Sequence, residues 1–232
     1  PKGTYKITYP LVLKSDITLI GEGKHSAVSR ILPDDDLDHT IKTDQATSEV
    51  IISRLNIGGS LDFQHLKDSV LDRVRGANVL LGSESANVIV RDSGVGVTLR
   101  GTGHILQSLY ATTVYIKGSG GGHKIVNSHI DKSSQPGAIM FSEPQGSSMD
   151  TMVRNCYFDI NKNNVIHIDF DEPQVANIDI EGCFFRSNEK REIYIRNAHN
   201  VKIKGAMTYN DDENPFRFEG DVKNIEFLGS RF

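Results

Sequence analysis

Between residues 166 and 219 the chain writes the same four-residue alternation three times: Ile166-His167-Ile168-Asp169, Ile193-Tyr194-Ile195-Arg196 and Phe216-Arg217-Phe218-Glu219. A second element begins 8 to 12 residues after each of these begins. Its copies are Ile178-Asp179-Ile180-Glu181-Gly182-Cys183-Phe184-Phe185, Val201-Lys202-Ile203-Lys204-Gly205-Ala206-Met207-Thr208 and Ile225-Glu226-Phe227-Leu228-Gly229-Ser230-Arg231-Phe232. Apolar–polar alternation places one face of a strand inward and the other outward. Strand pairs that recur every 23 to 27 residues, with no helical period between them, define a β-solenoid.

Both elements trace backwards. The first gives inward pairs at Leu61/Phe63, Val79/Leu81, Val97/Leu99, Val114/Ile116, Ile139/Phe141, Ile166/Ile168, Ile193/Ile195 and Phe216/Phe218. The second gives inward residues Ile52, Leu66, Val90, Ile105, Ile125, Val153, Ile180, Ile203 and Phe227. Two places later comes a bend: Arg54, Asp68, Asp92, Gln107, Asn127, Asn155, Gly182, Gly205 and Gly229, mostly residues that tolerate a left-handed backbone. A largely small residue follows the bend: Leu55, Ser69, Ser93, Ser108, Ser128, Cys156, Cys183, Ala206 and Ser230. This column predicts a tight inner corner.

The period changes along the chain. It is 17 or 18 residues between Leu61 and Val114, then 25, 27, 27 and 23. Residues 1–60 are therefore opening rungs, 61–117 slim rungs and 118–232 loop-bearing rungs of one β-helix. The added residues fall in 118–122, 131–137, 143–149, 171–175, 187–191 and 210–214, predicted as loops. Loops on a regular scaffold are where binding concentrates. Phe232 falls on an inward position, which predicts that the chain is a segment of a longer one or that another subunit or domain covers its end.

With 26 basic and 30 acidic residues the net charge is −4, which gives no electrostatic case for nucleic acid. No apolar run approaches the ~18 residues of a membrane span. Cys156 and Cys183 occupy one repeat position a rung apart and are read as two small side chains in an internal stack. The acidic run Asp34-Asp35-Asp36 lacks the spaced ligands and glycine of a calcium loop and is read as a solvated turn.

The opening residues carry a family resemblance. Pro1, Gly3 and Tyr5 lead into a strand, and Leu13-Lys14-Ser15-Asp16-Ile17-Thr18-Leu19-Ile20-Gly21-Glu22-Gly23 follows. Together they resemble the first rungs of the pectate-lyase-like superfamily of right-handed parallel β-helices, which includes bacteriophage tailspikes and appendage proteins, polysaccharide lyases and glycoside hydrolases. The slim rungs look more like the phage shafts. The resemblance implies an all-β, single-stranded right-handed parallel β-helix and a bacterial surface polysaccharide as partner. It further implies a homotrimeric parent and a virion-tail or extracellular location. Enzymatic cleavage, by a hydrolase or a lyase, is the alternative. Calcium-dependent lyases of the superfamily carry an aspartate cluster and an arginine base, of which Asp169 with Arg196 is a partial echo.

The glycine-rich stretches 21–24 and 118–123 lack P-loop or dinucleotide spacing, so no cofactor is indicated. No nucleophile elbow is present, and no two histidines are spaced as metal ligands. What remains is the outward face of the first strand. One column reads Asp62, Leu80, Thr98, Tyr115, Met140, His167, Tyr194, Arg217, and its neighbour Gln64, Gly82, Arg100, Lys117, Ser142, Asp169, Arg196, Glu219. Asp169, Arg196 and Glu219 are predicted to form a charge ladder, or else part of a saccharide groove. In the groove Tyr194 would stack on sugar, His167 would line the site, and Arg196 and Arg217 would grip hydroxyls or carboxylates. Catalysis would fall to Asp169, Asp171 and Glu219. Asp169 lies roughly 6.8 Å from Asp171 along the strand and about 9.6 Å from Glu219 across two rungs. Both spacings suit glycosidic chemistry, a criterion that nearly any acid pair on such a sheet meets.

Overall fold

The computed structural model describes residues 2–22, 29–118, 120–143, 149–186, 193–208 and 215–231. The loops expected at 187–191 and 210–214, most of that at 143–149, and Phe232 lie outside these residues. The described chain contains no helix, and every strand pairing is parallel. It is a right-handed parallel β-helix.

Three faces wind round one core. The first stacks Ile41, Leu61, Val79, Val97, Val114, Ile139, Ile166, Ile193 and Phe216 in direct register. The second stacks Leu19, Ile52, Leu71, Val90, Leu106, Ile125, Val153, Ile180, Ile203 and Phe227. In the late rungs a third face is built from short strands, stacking Tyr110, His129, Tyr157, Phe184 and Met207 outward and Ala111, Ile130, Phe158 and Phe185 inward. This third strand is what becomes of the apolar residues that follow the small column, so the two-element repeat has three sides. The inward pairs from Leu61/Phe63 to Ile193/Ile195 are all buried. Each such side chain contributes roughly 1.5–3 kcal/mol before its ordering entropy. In the last described rung Phe216 is half-buried and Phe218 is 46% exposed, since no described rung packs beyond it.

Two positions in the predicted bend column are corrected. Leu66-Asp68-Ser69 belongs to the corner between the first and second faces; the second face at that rung is Val70–Asp72, with Arg73 as its left-handed bend. At the next misfit Leu106 points inward and Ser108, not Gln107, takes positive φ. The extra residues expected at 171–175 form a bulge rather than a free loop. Within the strand run Asn164–Glu181, residues 170–173 stand opposite Asn197 alone, and a second register shift follows between Val175 and Ile178. The chain turns into the second face at left-handed Asn177.

The small column has a polar purpose. At three of the left-handed bends the amide that follows points inward, and a serine one rung on accepts its hydrogen. Val74 N–H bonds Ser93 Oγ at 3.0 Å, Leu109 N–H bonds Ser128 Oγ at 3.1 Å, and Ala206 N–H bonds Ser230 Oγ at 3.2 Å. Cys156 and Cys183 are free and buried in the same column, their thiols donating to carbonyls of the rung before. Asp34, in the acidic turn, pairs with Lys6 at 2.8 Å.

Candidate functional site

The outward columns of the first face stand in the expected register. His167 pairs with Tyr194 and Tyr194 with Arg217; Asp169 pairs with Arg196 and Arg196 with Glu219. Strand pleat turns them outward: His167, Asp169 and Tyr194 each lie between two buried residues, and Arg196, Arg217 and Glu219 continue the same alternation.

The side chains choose partners that the register does not dictate. The Arg196 guanidinium bonds the Asp169 carboxylate through Nε and approaches Asp171 Oδ1 at 3.5 Å through Nη2. Arg196 forms no ion pair with Glu219. That carboxylate accepts the Tyr194 hydroxyl at 2.8 Å and pairs with Arg217. The simple Asp–Arg–Glu ladder is thus replaced by two clusters, Asp169/Arg196/Asp171 and Tyr194/Glu219/Arg217.

His167 joins them. Its ring stacks on Tyr194 with centroids 4.7 Å apart and planes 14° apart, and its Nε2 lies 3.4 Å from Asp169 Oδ2. Asn164 Nδ2 sits 3.0 Å from His167 Nδ1, so the consistent arrangement has Asn164 donating to Nδ1 and Nε2–H facing Asp169. The other face of Tyr194 carries the Arg217 guanidinium, 5.7 Å from the ring centroid. Both faces of Tyr194 are therefore covered within the protein. The stacking role expected of it is not open; its ring supports the column instead.

Electrostatics follow from these contacts. Burial lowers the His167 pKa, partly opposed by Asp169. Burial and the hydrogen bond to Glu219 push Tyr194 up to about 12. The Tyr194 hydroxyl and Arg217 hold Glu219 below the usual carboxylate range, and Asp169 raises Arg196 further. The Asp171 side chain is fully exposed at the rim.

Over the Asp169 cluster lies a hollow of about 500 Å³, lined by Met140, Ser142, Glu143, His167, Asp169, Asp171 and Arg196 among others. Tyr194, Arg217 and Glu219 stand outside this lining. Sequence reasoning missed Asn164, which positions His167; its spacing of three residues on an extended strand carries no recognisable signal. Gln174, another lining residue, was hidden by the expectation of a loop at 171–175.

Among proteins of known structure, the chain superposes on ORF18 of Geobacillus virus E2 with a TM-score of 0.53 and 17% identity, over 96% of this chain and 53% of that one. The chain therefore spans about half the length of the viral protein. An alginate lyase from Paenibacillus sp. str. FPU-7 matches with a TM-score of 0.61 and 12% identity, over 100% of this chain and 90% of that one. The periplasmic alginate epimerase AlgG matches with a TM-score of 0.63 and 9% identity, over 98% and 79%. At these identities the likeness is one of fold. No protein-family model and no curated protein matches the sequence.

Proposed function

We propose that this chain is the recognition segment of a phage tailspike or appendage and binds bacterial surface polysaccharide along the outward face of its first sheet. The observation that carries the reading is the hollow over Asp169 and Arg196. Its charged groups are held in place by one another, and the fully exposed Asp171 stands at its rim. A groove whose donors and acceptors are fixed beforehand loses little entropy when a glycan docks.

The chemistry supports binding over hydrolysis. Glycosidic hydrolysis needs one protonated carboxyl. Glu219, one of the candidate acids, is instead held ionised by Tyr194 and Arg217. Cleavage by a hydrolase or lyase is the second reading, favoured by the two structural neighbours named for alginate. The viral neighbour supports a virion origin; the homotrimeric parent is part of the proposal, and sedimentation of the full-length protein tests it.

A glycan array probed with wild type and Arg196→Ala tests the binding reading. The variant should lose saccharide binding while its melting temperature changes little, since a partly exposed ion pair is worth about 1 kcal/mol or less. Equal binding by both proteins sinks the site. Incubation with capsular polysaccharide settles the second reading. New reducing ends or unsaturated uronate, abolished in Asp169→Asn, would replace recognition by cleavage.

A further inference from the structure

We propose that Arg100 and Lys117 form a seat for the carboxylate of an acidic glycan, and that Glu143 of the same chain occupies this seat as an internal stand-in. The inference rests on the first sheet being a glycan track and adds the charge class of the glycan.

Arg100 and Lys117 follow one another in the second outward column, a rung apart. Like charges on adjacent strands repel unless an anion is shared. The carboxylate that the described residues supply is Glu143, with Oε1 3.2 Å from Lys117 Nζ and Oε2 3.8 Å from Arg100 Nη2. The second distance exceeds hydrogen-bond range, so the guanidinium keeps a fork free for a bidentate carboxylate. Two cations share one carboxylate, leaving one positive charge in excess. Glu143 also reaches its place from a left-handed backbone, φ 56°, with a side chain 55% exposed. It is thus a weakly held occupant.

Beside the cations lies a hollow of about 560 Å³ lined by Gln64, Leu80, Thr98, Arg100, Tyr115 and Lys117. Thr98 is short, so the Tyr115 ring borders open space on that side. A further hollow of about 420 Å³ shares Leu80, Thr98 and Tyr115, which makes the track continuous across the slim rungs. A sugar ring against Tyr115 would present its carboxylate to Arg100 and Lys117. Glu143 also lines the hollow over Asp169, so its release would join the two halves of the track.

Affinity electrophoresis tests this with polygalacturonate, alginate and hyaluronate as acidic polymers, dextran as the neutral one, and free galacturonate and inorganic phosphate as small competitors. Wild type should be retarded by at least one acidic polymer. Arg100→Ala and Lys117→Ala should each weaken that binding about tenfold, as the loss of a charge-assisted contact implies. Glu143→Gln should tighten it by about threefold at low salt, and the gain should shrink as salt rises. Retardation by dextran alone or by no acidic polymer, competition by phosphate as effective as by galacturonate, or a Glu143→Gln variant no tighter than wild type would each overturn the seat. Dextran binding lost in Arg196→Ala but kept in Arg100→Ala would overturn the seat and leave the proposed function standing. Loss of all polymer binding in Arg100→Ala with none in Arg196→Ala would support the seat and move the site off the late rungs.

Discussion

Gly101 and Gly120 sit where three backbones stack at the corner leaving the first face. A Cβ on Gly120 would lie inside the van der Waals shell of the Gly101 carbonyl oxygen, and one on Gly101 inside that of the Ser85 carbonyl. The glycine-rich stretch is therefore a packing device as well as a turn. Gly120→Ala should cost at least about 2 kcal/mol, as overpacking against rigid backbone does, in denaturant unfolding. A variant as stable as wild type would show that the corner has room. Tyr194 poses a different test. Its hydroxyl is the largest cause holding Glu219 down, so Tyr194→Phe should raise the Glu219 pKa toward the ordinary glutamate value. A carboxyl-carbon NMR titration reads this directly, and an unmoved Glu219 would mean that Arg217 alone holds it. Which residues face outward here was legible in the alternation. Which partner each chose was not, because that depends on rotamers packed against the next rung.

At the scale of the element, the strands were more legible than the corners. Alternation is a direct consequence of pleat, and it identified the inward pairs of the first face from Leu61/Phe63 to Ile193/Ile195, though not Ile41 and Thr43 one rung earlier. The third face was hidden because strands such as Tyr110–Ala111 and Met207–Thr208 are too short to alternate. Leu66-Lys67-Asp68-Ser69 was misplaced for a physical reason. Like Val90-Arg91-Asp92-Ser93, it is a buried apolar residue, a left-handed aspartate and a serine whose oxygen takes an amide of the rung before. Two different corners pose one backbone problem and share one solution. On the corner leading into the second face, left-handed Asn177, Asn200 and Asn224 join edge to edge. Asn200 Nδ2 donates to Asn177 at 3.0 Å, and Asn224 Nδ2 donates to Asn200 at 2.9 Å. Asn200→Gly keeps the φ and removes only the amide bonds, for about 1 kcal/mol; Asn200→Ala adds about 1 kcal/mol of backbone strain. Equal stabilities for the two variants would show that φ does not matter there. Inside the same strands, Ile180→Asp should cost several kcal/mol and strip hydrogen-exchange protection from adjoining rungs.

Over the whole molecule, each rung is held by its neighbours, so a charge forced into the core acts on the stack. His104 and His123 supply that possibility. They lie one rung apart at the corner between the first and second faces, 0% and 1% exposed, with rings stacked 5.3 Å apart. His104 Nδ1 accepts the Val88 amide at 3.2 Å, and His123 Nδ1 accepts the His104 amide at 3.4 Å. An imidazolium has no lone pair left, so protonation would break both bonds and set two cations in contact. Burial accordingly depresses His104 to about 3 and His123 to about 4. Below pH 6.5 the unfolded chain takes up protons that the folded chain refuses. Stability is then complete above pH 6.5 and falls toward the folded pKa values, by roughly 1.4 kcal/mol per pH unit for each imidazole. The window from pH 6.5 to 4.5 isolates this effect, because the carboxylates with lowered pKa, Glu219, Asp221 and Asp34, release their contribution only at lower pH. His167, also lowered by burial, adds a smaller slope. Urea unfolding across this window should therefore show a steep loss in wild type. In the double variant His104→Gln/His123→Gln only the shallow slope of His167 should remain. The slope is read independently of absolute stability, so a weakened variant still decides the matter. If the double variant declines as steeply as wild type, the acid sensitivity does not originate in this pair.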